Sequence, residues 1–162
     1  MRDNLTALIL IAVATSGLLG KTIPTLYIGS GCIFEYDATH TVGGQGFNED
    51  DNANFFGSAY SVIKGHTDLL MKGFSHVLNA RVRIPISDEP NSRDFITKIA
   101  GYKKIISIKN YMTVLSDWIP LLLALLADNK TGTIDAVNPG VVDHETILRL
   151  YDGLSDTKLD YS

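Results

Sequence analysis

TLYIGSGC, residues 25–32, and GSAYSVIKG, residues 57–65, decide how the rest of this 162-residue chain is read. The first is a short β-rich run ending at Gly29, with Ser30, Gly31 and Cys32 behind it, the pattern of a buried strand that opens onto a turn. The second supplies Ser58 as an N-cap, then helical spacing through Phe74 with Gly73 near the C-terminal end. In an open α/β sheet the crevice beyond the strand ends is where ligands bind, so a hydroxyl placed just past a strand is a candidate group.

Outward from these two stretches the elements alternate. LTALILIAVATSGLLG (residues 5–20) reads as a buried helix: Asp3 cancels Arg2, which removes the positive start of a secretory signal, and the run is shorter than the roughly 20 residues of a membrane span. Residues 30–57 hold Gly43, Gly44, Gly46 and an acidic cluster without periodicity, hence a long surface loop. HVLNARVRI (76–84) is a strand stopped by Pro85, RDFITKIAGY (93–102) a helix, and KKIISI (103–108) a further short strand. SDWIPLLLALLADNK (116–130) is an apolar helix with Pro120 expected in its first turn. TGTIDAVNPG (131–140) gives a strand and turn, and DHETILRLYDG (143–153) an amphipathic helix with Asp143 as its cap. Strands separated by helices imply a mainly parallel α/β sheet with flanking helices.

Composition narrows the function classes. Hydrophobic residues make up 45%, charged residues 20%, and mean hydropathy is +0.10, an ordinary globular balance. A net charge of -4 without any Lys/Arg run disfavours nucleic acid as a partner. Cys32 is the single cysteine, so there is no intramolecular disulfide or multi-cysteine zinc site, and a reducing, cytoplasmic setting fits. His40, His66, His76 and His144 show no metal-ligand spacing, and no metal is assigned.

The chemistry-bearing string is Tyr60-Ser-Val-Ile-Lys64. Four residues apart on a helix, a phenol and an ammonium share a face. The cation favours the phenolate, which makes the phenol a better proton donor near neutral pH, suited to protonating a carbonyl oxygen as hydride reaches its carbon. Ser30 can hold the same oxygen, or simply satisfy the backbone of its turn. Spacing alone is weak, since Tyr and Lys four apart occur on many solvated helices.

Taken in order, GSGCIFEYD, FNEDD, NFFGSAYSVIKG, RVRIPISDEPNSRDFITKI and VNPGVV resemble the nucleotide-rhamnose synthase, epimerase/reductase family, which is similar to dTDP-4-dehydrorhamnose reductases of the extended short-chain dehydrogenase superfamily. The resemblance runs from about Asn4 to Tyr151. It implies a partial Rossmann-like fold over residues 1–162, with sheet core and catalytic motif in 1–83, and a small substrate-binding lobe plus remaining sheet elements in 84–162. It implies reduction of a 4-keto-6-deoxy nucleotide sugar to an L-rhamnose nucleotide with NADPH or NADH, together with 3,5-epimerisation. By position the reductase triad falls on Ser30, Tyr60 and Lys64, the last two also touching the cofactor, and the epimerase acid–base pair falls on Cys32 and Lys98. Without the resemblance, Cys32 reads as a small buried hydrophobe and Lys98 as part of a solvated helix face. Arg81, Arg83 and Arg93 bracket the start of the substrate lobe, and Arg83 and Arg93 are the expected diphosphate contacts.

A glycine-rich turn between an opening strand and helix is the expected pyrophosphate cradle, and TVGGQG (41–46) does not have that context. The expected consequences are weak NADPH binding by these residues alone and an apolar sheet edge through which the chain could dimerise. Two other functions compete: a non-catalytic subunit like the regulatory subunit of methionine adenosyltransferase, and an inactive fragment.

Overall fold

A computed structural model describes residues 2–17, 22–89, 92–106 and 108–154. The chain forms two compact units, Met1–Val82 with Pro120–Ala136, and Arg83–Ile119 with Val137–Ser162.

The first unit is built on a three-stranded, wholly parallel sheet of order β1-β2-β5, with β1 at Thr25–Ser30, β2 at Val77–Val82 and β5 at Gly132–Ala136. Thr25 pairs with Val77 and Ser30 with Val82, while Leu78 pairs with Gly132 and Val82 with Ala136. β2 is central, and five of its six residues are buried, which forces the polar Asn79 and Arg81 into the interior. Two helices precede it: α1 at Arg2–Thr15 and α2 at Ala59–Lys72. Ser58 caps α2, its hydroxyl accepting from the Ser61 amide at 3.0 Å, as the sequence leads one to expect. Ala12, Tyr27, Met71 and Val77 close a core cluster between α1, β1, α2 and β2.

The expectation of a buried first helix is corrected. Ala12 is buried, but Leu10, Ile11 and Val13 are exposed, Leu10 by 63%. One helix face has a sheet to cover and the others do not, so apolar composition alone did not determine burial. Residues 18–20 of that expected helix lie outside the described residues.

The second unit has a two-residue parallel pairing of β3 (Pro85–Ile86) with β4 (Thr113–Val114), and two helices, α3 (Phe95–Ala100) and α5 (His144–Leu154). Ile99, Met112, Ile147 and Leu148 form its core, with Phe95, Ile96 and Ile105 packed on it. Asp94 caps α3 by accepting from the Thr97 amide, and Asp143 caps α5 by accepting from the Thr146 amide at 2.8 Å. The strand expected at 103–108 is absent among its described residues: Ile105 packs into the core while Lys103, Lys104, Ile106 and Ile108 are exposed. β-branched residues without a strand to pair against have nothing to stabilise an extended ladder.

Helix α4 (Leu115–Ala127) begins in the second unit's residues and ends in the first's. Pro120 is its sixth residue, one turn deeper than the first-turn position expected, and there it removes an internal hydrogen-bond donor. The helix ends on Asn129, φ 55°, with the Lys130 amide bonding Leu125 O and the Asn129 amide bonding Leu126 O. That left-handed cap turns the chain into β5.

Candidate active site

Two of the expected groups stand at the C-terminal end of β1. Ser30 is 4% exposed, and its Oγ accepts the Cys32 amide at 3.1 Å, so the hydroxyl already serves the turn. The turn is joined to the start of α2: Ser61 Oγ donates to Cys32 O at 2.9 Å and contacts Ser58 Oγ at 2.8 Å. This link sets the first turn of the helix, and with it Tyr60, beside the Ser30–Cys32 turn. Gly65 allows α2 close to the loop, because a Cβ there would meet Ala53 Cβ at 3.0 Å and Phe56 Cε1 at 3.2 Å.

Lys64 turns toward β1. Its Nζ donates to Ile28 O at 2.9 Å and to the Tyr27 hydroxyl at 3.4 Å, and lies 5.0 Å from the centre of the Tyr27 ring. Burial pulls the ammonium below its ordinary range. Burial likewise pushes the Tyr27 phenol up to about 12, with Thr67 opposing through a hydrogen bond and Asp68 and Tyr60 adding to the rise, so Tyr27 stays neutral. Tyr60 is 54% exposed and its hydroxyl has no hydrogen-bond partner among the described residues. The structure therefore collects Ser30, Cys32, Tyr60 and Lys64 at one end of the sheet, with Lys64 bonded to β1 instead of to Tyr60. Tyr27 was not singled out in the sequence. Alternation along TLYIGS, which puts residue 27 on the same face as residue 29 and so toward one flanking layer, is the signal that was available.

The remaining candidates belong to the second unit. Lys98 is exposed in the last turn of α3, Arg83 is half-buried with its guanidinium donating to Asn110 Oδ1 at 2.9 Å, and Arg93 is exposed just before the Asp94 cap.

Arg81, read as one of three basic residues near the substrate lobe, is corrected to an interior residue. Its side chain is fully buried; Nε and a terminal nitrogen donate to the two Asp68 oxygens at 2.9 and 2.7 Å. Two more donors go to the carbonyls of Asn48 and Asp51, at 3.0 and 2.9 Å, and the guanidinium lies 5.1 Å from the Phe34 ring centre. Four of its five N–H donors are thus spent inside the protein, and Arg81 fastens the acidic loop to the sheet. Among the described residues no group of His, Cys, Asp and Glu could hold a metal ion, and no helix is long and apolar enough to cross a membrane.

A parallel sheet with flanking helices, its first strand ending in a turn joined to the following helix, defines a Rossmann-like chain. Known proteins agree with that class. The L780 protein of Acanthamoeba polyphaga mimivirus is 50% identical over 125 residues, 76% of this chain and 43% of that protein. The crystal structure of the L780 UDP-rhamnose synthase matches with a TM-score of 0.75 at 44% identity, covering 85% of this chain and 49% of its own. A bifunctional dTDP-4-dehydrorhamnose 3,5-epimerase/dTDP-4-dehydrorhamnose reductase of Arabidopsis thaliana is 45% identical over 133 residues, 81% of this chain and 44% of that protein. The dTDP-4-dehydrorhamnose reductase of Bacillus anthracis, solved with NADP, shares the fold at a TM-score of 0.73 and 17% identity. No protein-family model matches the chain. Over the matched residues the chain belongs to the nucleotide-rhamnose synthase, epimerase/reductase family, and it spans less than half the length of these curated relatives.

Proposed function

We propose that these residues provide the proton-transfer half of an NADPH-dependent reductase that converts a 4-keto-6-deoxy nucleotide sugar to an L-rhamnose nucleotide in the cytoplasm, with 3,5-epimerisation at the same sugar. The observation that supports it is the hydrogen-bonded joint between the Ser30–Cys32 turn and the opening of α2, which assembles Ser30, Cys32, Tyr60 and Lys64 at a strand end.

In this reading Tyr60 gives its phenolic proton to the C4 oxygen of the sugar, and Ser30 orients that oxygen by a second hydrogen bond. Lys64 supplies the positive charge that eases loss of the Tyr60 proton. Cys32 and Lys98 exchange protons at carbons 3 and 5, which the neighbouring ketone acidifies. Arg83 and Arg93 pair with the diphosphate. The donor set fits a nicotinamide nucleotide at one end: Tyr60 and Lys64 present a phenol and an ammonium suited to its ribose hydroxyls. Among the described residues no strand, glycine turn and helix run together as a pyrophosphate cradle, so the fit is to the nicotinamide end alone. When bound, that cofactor supplies the hydride for carbon 4.

The test is a chimera in which residues 4–151 replace the aligned stretch of the mimivirus synthase. Tyr60→Phe should lower reduction by about 10²-fold or more while leaving solvent deuterium uptake at carbons 3 and 5 largely intact. Cys32→Ala should stop that uptake. Wild-type exchange in Cys32→Ala would return Cys32 to a packing role, and undiminished reduction in Tyr60→Phe would overturn the reductase reading itself.

A further inference from the structure

We propose that Asn110 is a positioning residue for Arg83: it orients the guanidinium without cancelling its charge, so that the arginine meets the diphosphate of a nucleotide sugar in a preset geometry. The choice of anion rests on the function proposed above; the holding of Arg83 does not.

The first sign is backbone strain. Ile84, the next residue, has φ 41°, in the left-handed region, although it is β-branched and precedes Pro85. A branched Cβ crowds the backbone there, and a following proline favours extended conformations. Strain of this kind persists only where the surroundings over-determine it, and it gathers at binding and catalytic sites. Here the Ile84 side chain packs on the core of Ile99, Met112, Ile147 and Leu148. Fully buried Thr113 pins the backbone on both sides of the strained bond: its Oγ1 accepts from the Arg83 amide at 2.9 Å, and its own amide donates to Ile84 O at 3.5 Å. Pro85 then pairs with Thr113 at the start of β3. The backbone that carries Arg83 is thereby fixed.

The side chain is fixed in turn. A terminal nitrogen of Arg83 donates to Asn110 Oδ1 at 2.9 Å. Asn110 is itself locked, because its Nδ2 donates to Ile108 O at 3.2 Å, which decides how the amide is turned. Its backbone amide and carbonyl both bond Val142 at 2.9 Å in an antiparallel bridge. All of these residues belong to the second unit.

The chemistry of the partner separates this arginine from the one two residues earlier. Arg81 is fully buried against the Asp68 carboxylate, which orders it and neutralises it together. Arg83 is half-buried, and Asn110 offers it an amide oxygen, an acceptor without charge. A guanidinium held by a neutral acceptor keeps its attraction for an anion, while rotamer freedom that a loose arginine would lose on binding is already gone. Orientation and charge, which an aspartate at this position would set against each other, are both retained.

The experiment measures UDP affinity by isothermal titration in the chimera carrying residues 4–151, with Asn110→Ala, Asn110→Asp, Arg83→Met and the Arg83→Met/Asn110→Ala double variant, alongside the unfolding midpoint of each. Truncating the side chain leaves the backbone bridge to Val142 in place, so the local frame survives. Arg83→Met should weaken UDP by about tenfold or more, the worth of a charge-assisted bond. Asn110→Ala should weaken it by about three- to tenfold, the cost of ordering one long side chain on binding, and should add nothing on top of Arg83→Met. Asn110→Asp should weaken it further than Asn110→Ala, although the carboxylate can still accept from Arg83, because it cancels the charge; a merely structural acceptor predicts the reverse order. Wild-type affinity in Asn110→Ala, effects that add in the double variant, or tighter binding by Asn110→Asp than by Asn110→Ala would each overturn the positioning role and leave Arg83 as a diphosphate contact. A chimera without UDP affinity, or one whose affinity Arg83→Met does not change, would instead refute the diphosphate contact and the positioning role with it.

Discussion

Replacing Asp68 by Asn should destabilise the protein by about 3–5 kcal/mol, the usual cost of removing one partner from a buried ion pair. The expectation follows from how fully Asp68 is used. Its Oδ1 accepts from Asn79 Nδ2 at 2.7 Å and from Arg81 Nε at 2.9 Å, and its Oδ2 accepts from an Arg81 terminal nitrogen at 2.7 Å. Whichever way an amide is turned, its NH₂ confronts a donor, and Arg81, whose side chain is wholly buried, keeps its charge. For a domain of this size the loss corresponds to roughly 6–20 °C in Tm, at about 2–4 °C per kcal/mol. Pairing Asp68→Leu with Arg81→Met should recover much of the loss, because both charges leave the interior together and the carbonyls of Asn48 and Asp51 can rehydrate. Urea denaturation of the two singles and the double gives the coupling energy directly. A cost under about 1 kcal/mol for Asp68→Asn, or a double variant no better than the worse single, would refute the claim that this pair fastens the loop to the sheet.

Two further outcomes follow from the same interior. Gly29→Ala should cost about 1–3 kcal/mol by urea melts, since its Cβ would lie 2.5 Å from Asn79 Oδ1 and the Asp68 hydrogen bond holds Asn79 in place; an unchanged midpoint would show that Asn79 can move aside. Burial pushes the Asp135 carboxyl up to about 6, with Glu49, Asp68 and Asp51 adding to the rise and Arg81 at 3.8 Å opposing it. Between its ordinary value and 6 the folded chain therefore holds a proton the unfolded chain has released, so this group's contribution to stability falls as pH rises from about 4 to 6. Asp135→Asn should flatten that part of the stability profile and raise stability at pH 7 by roughly 1–2 kcal/mol, a figure reduced from the full shift because the side chain is 27% exposed; a profile parallel to wild type would count against it.

What the sequence disclosed, and what it withheld, divides by the range of the interaction. β1, α2, β2, β5 and α5 each stood out because local alternation, a cap residue and a bounding glycine or proline agreed with one another. KKIISI had the composition of a strand and no such partner, and whether a neighbour will be there is a non-local fact. Pro120 shows the same limit: the apolar run marked a helix, but its first turn was set by β4, which hands the chain straight into α4 at Leu115.

In the site, Ser30 and the Tyr60/Lys64 spacing were legible as residue types, whereas the partners they hold depend on contacts across 36 or 37 residues of chain, Lys64 to Ile28 and to Tyr27. Arg81 is the instructive case. On composition it belonged with Arg83 and Arg93 as a surface cation, yet it sits in VLNARV, a strand that must be central if strands flank it on both sides. A charge in a central strand requires an internal counter-charge, and Asp68, on the helix immediately before that strand, is the acid α2 buries against it. Reading strand position before side-chain chemistry would have separated the interior arginine from the other two, since a guanidinium in a central strand must spend its donors on partners inside the protein.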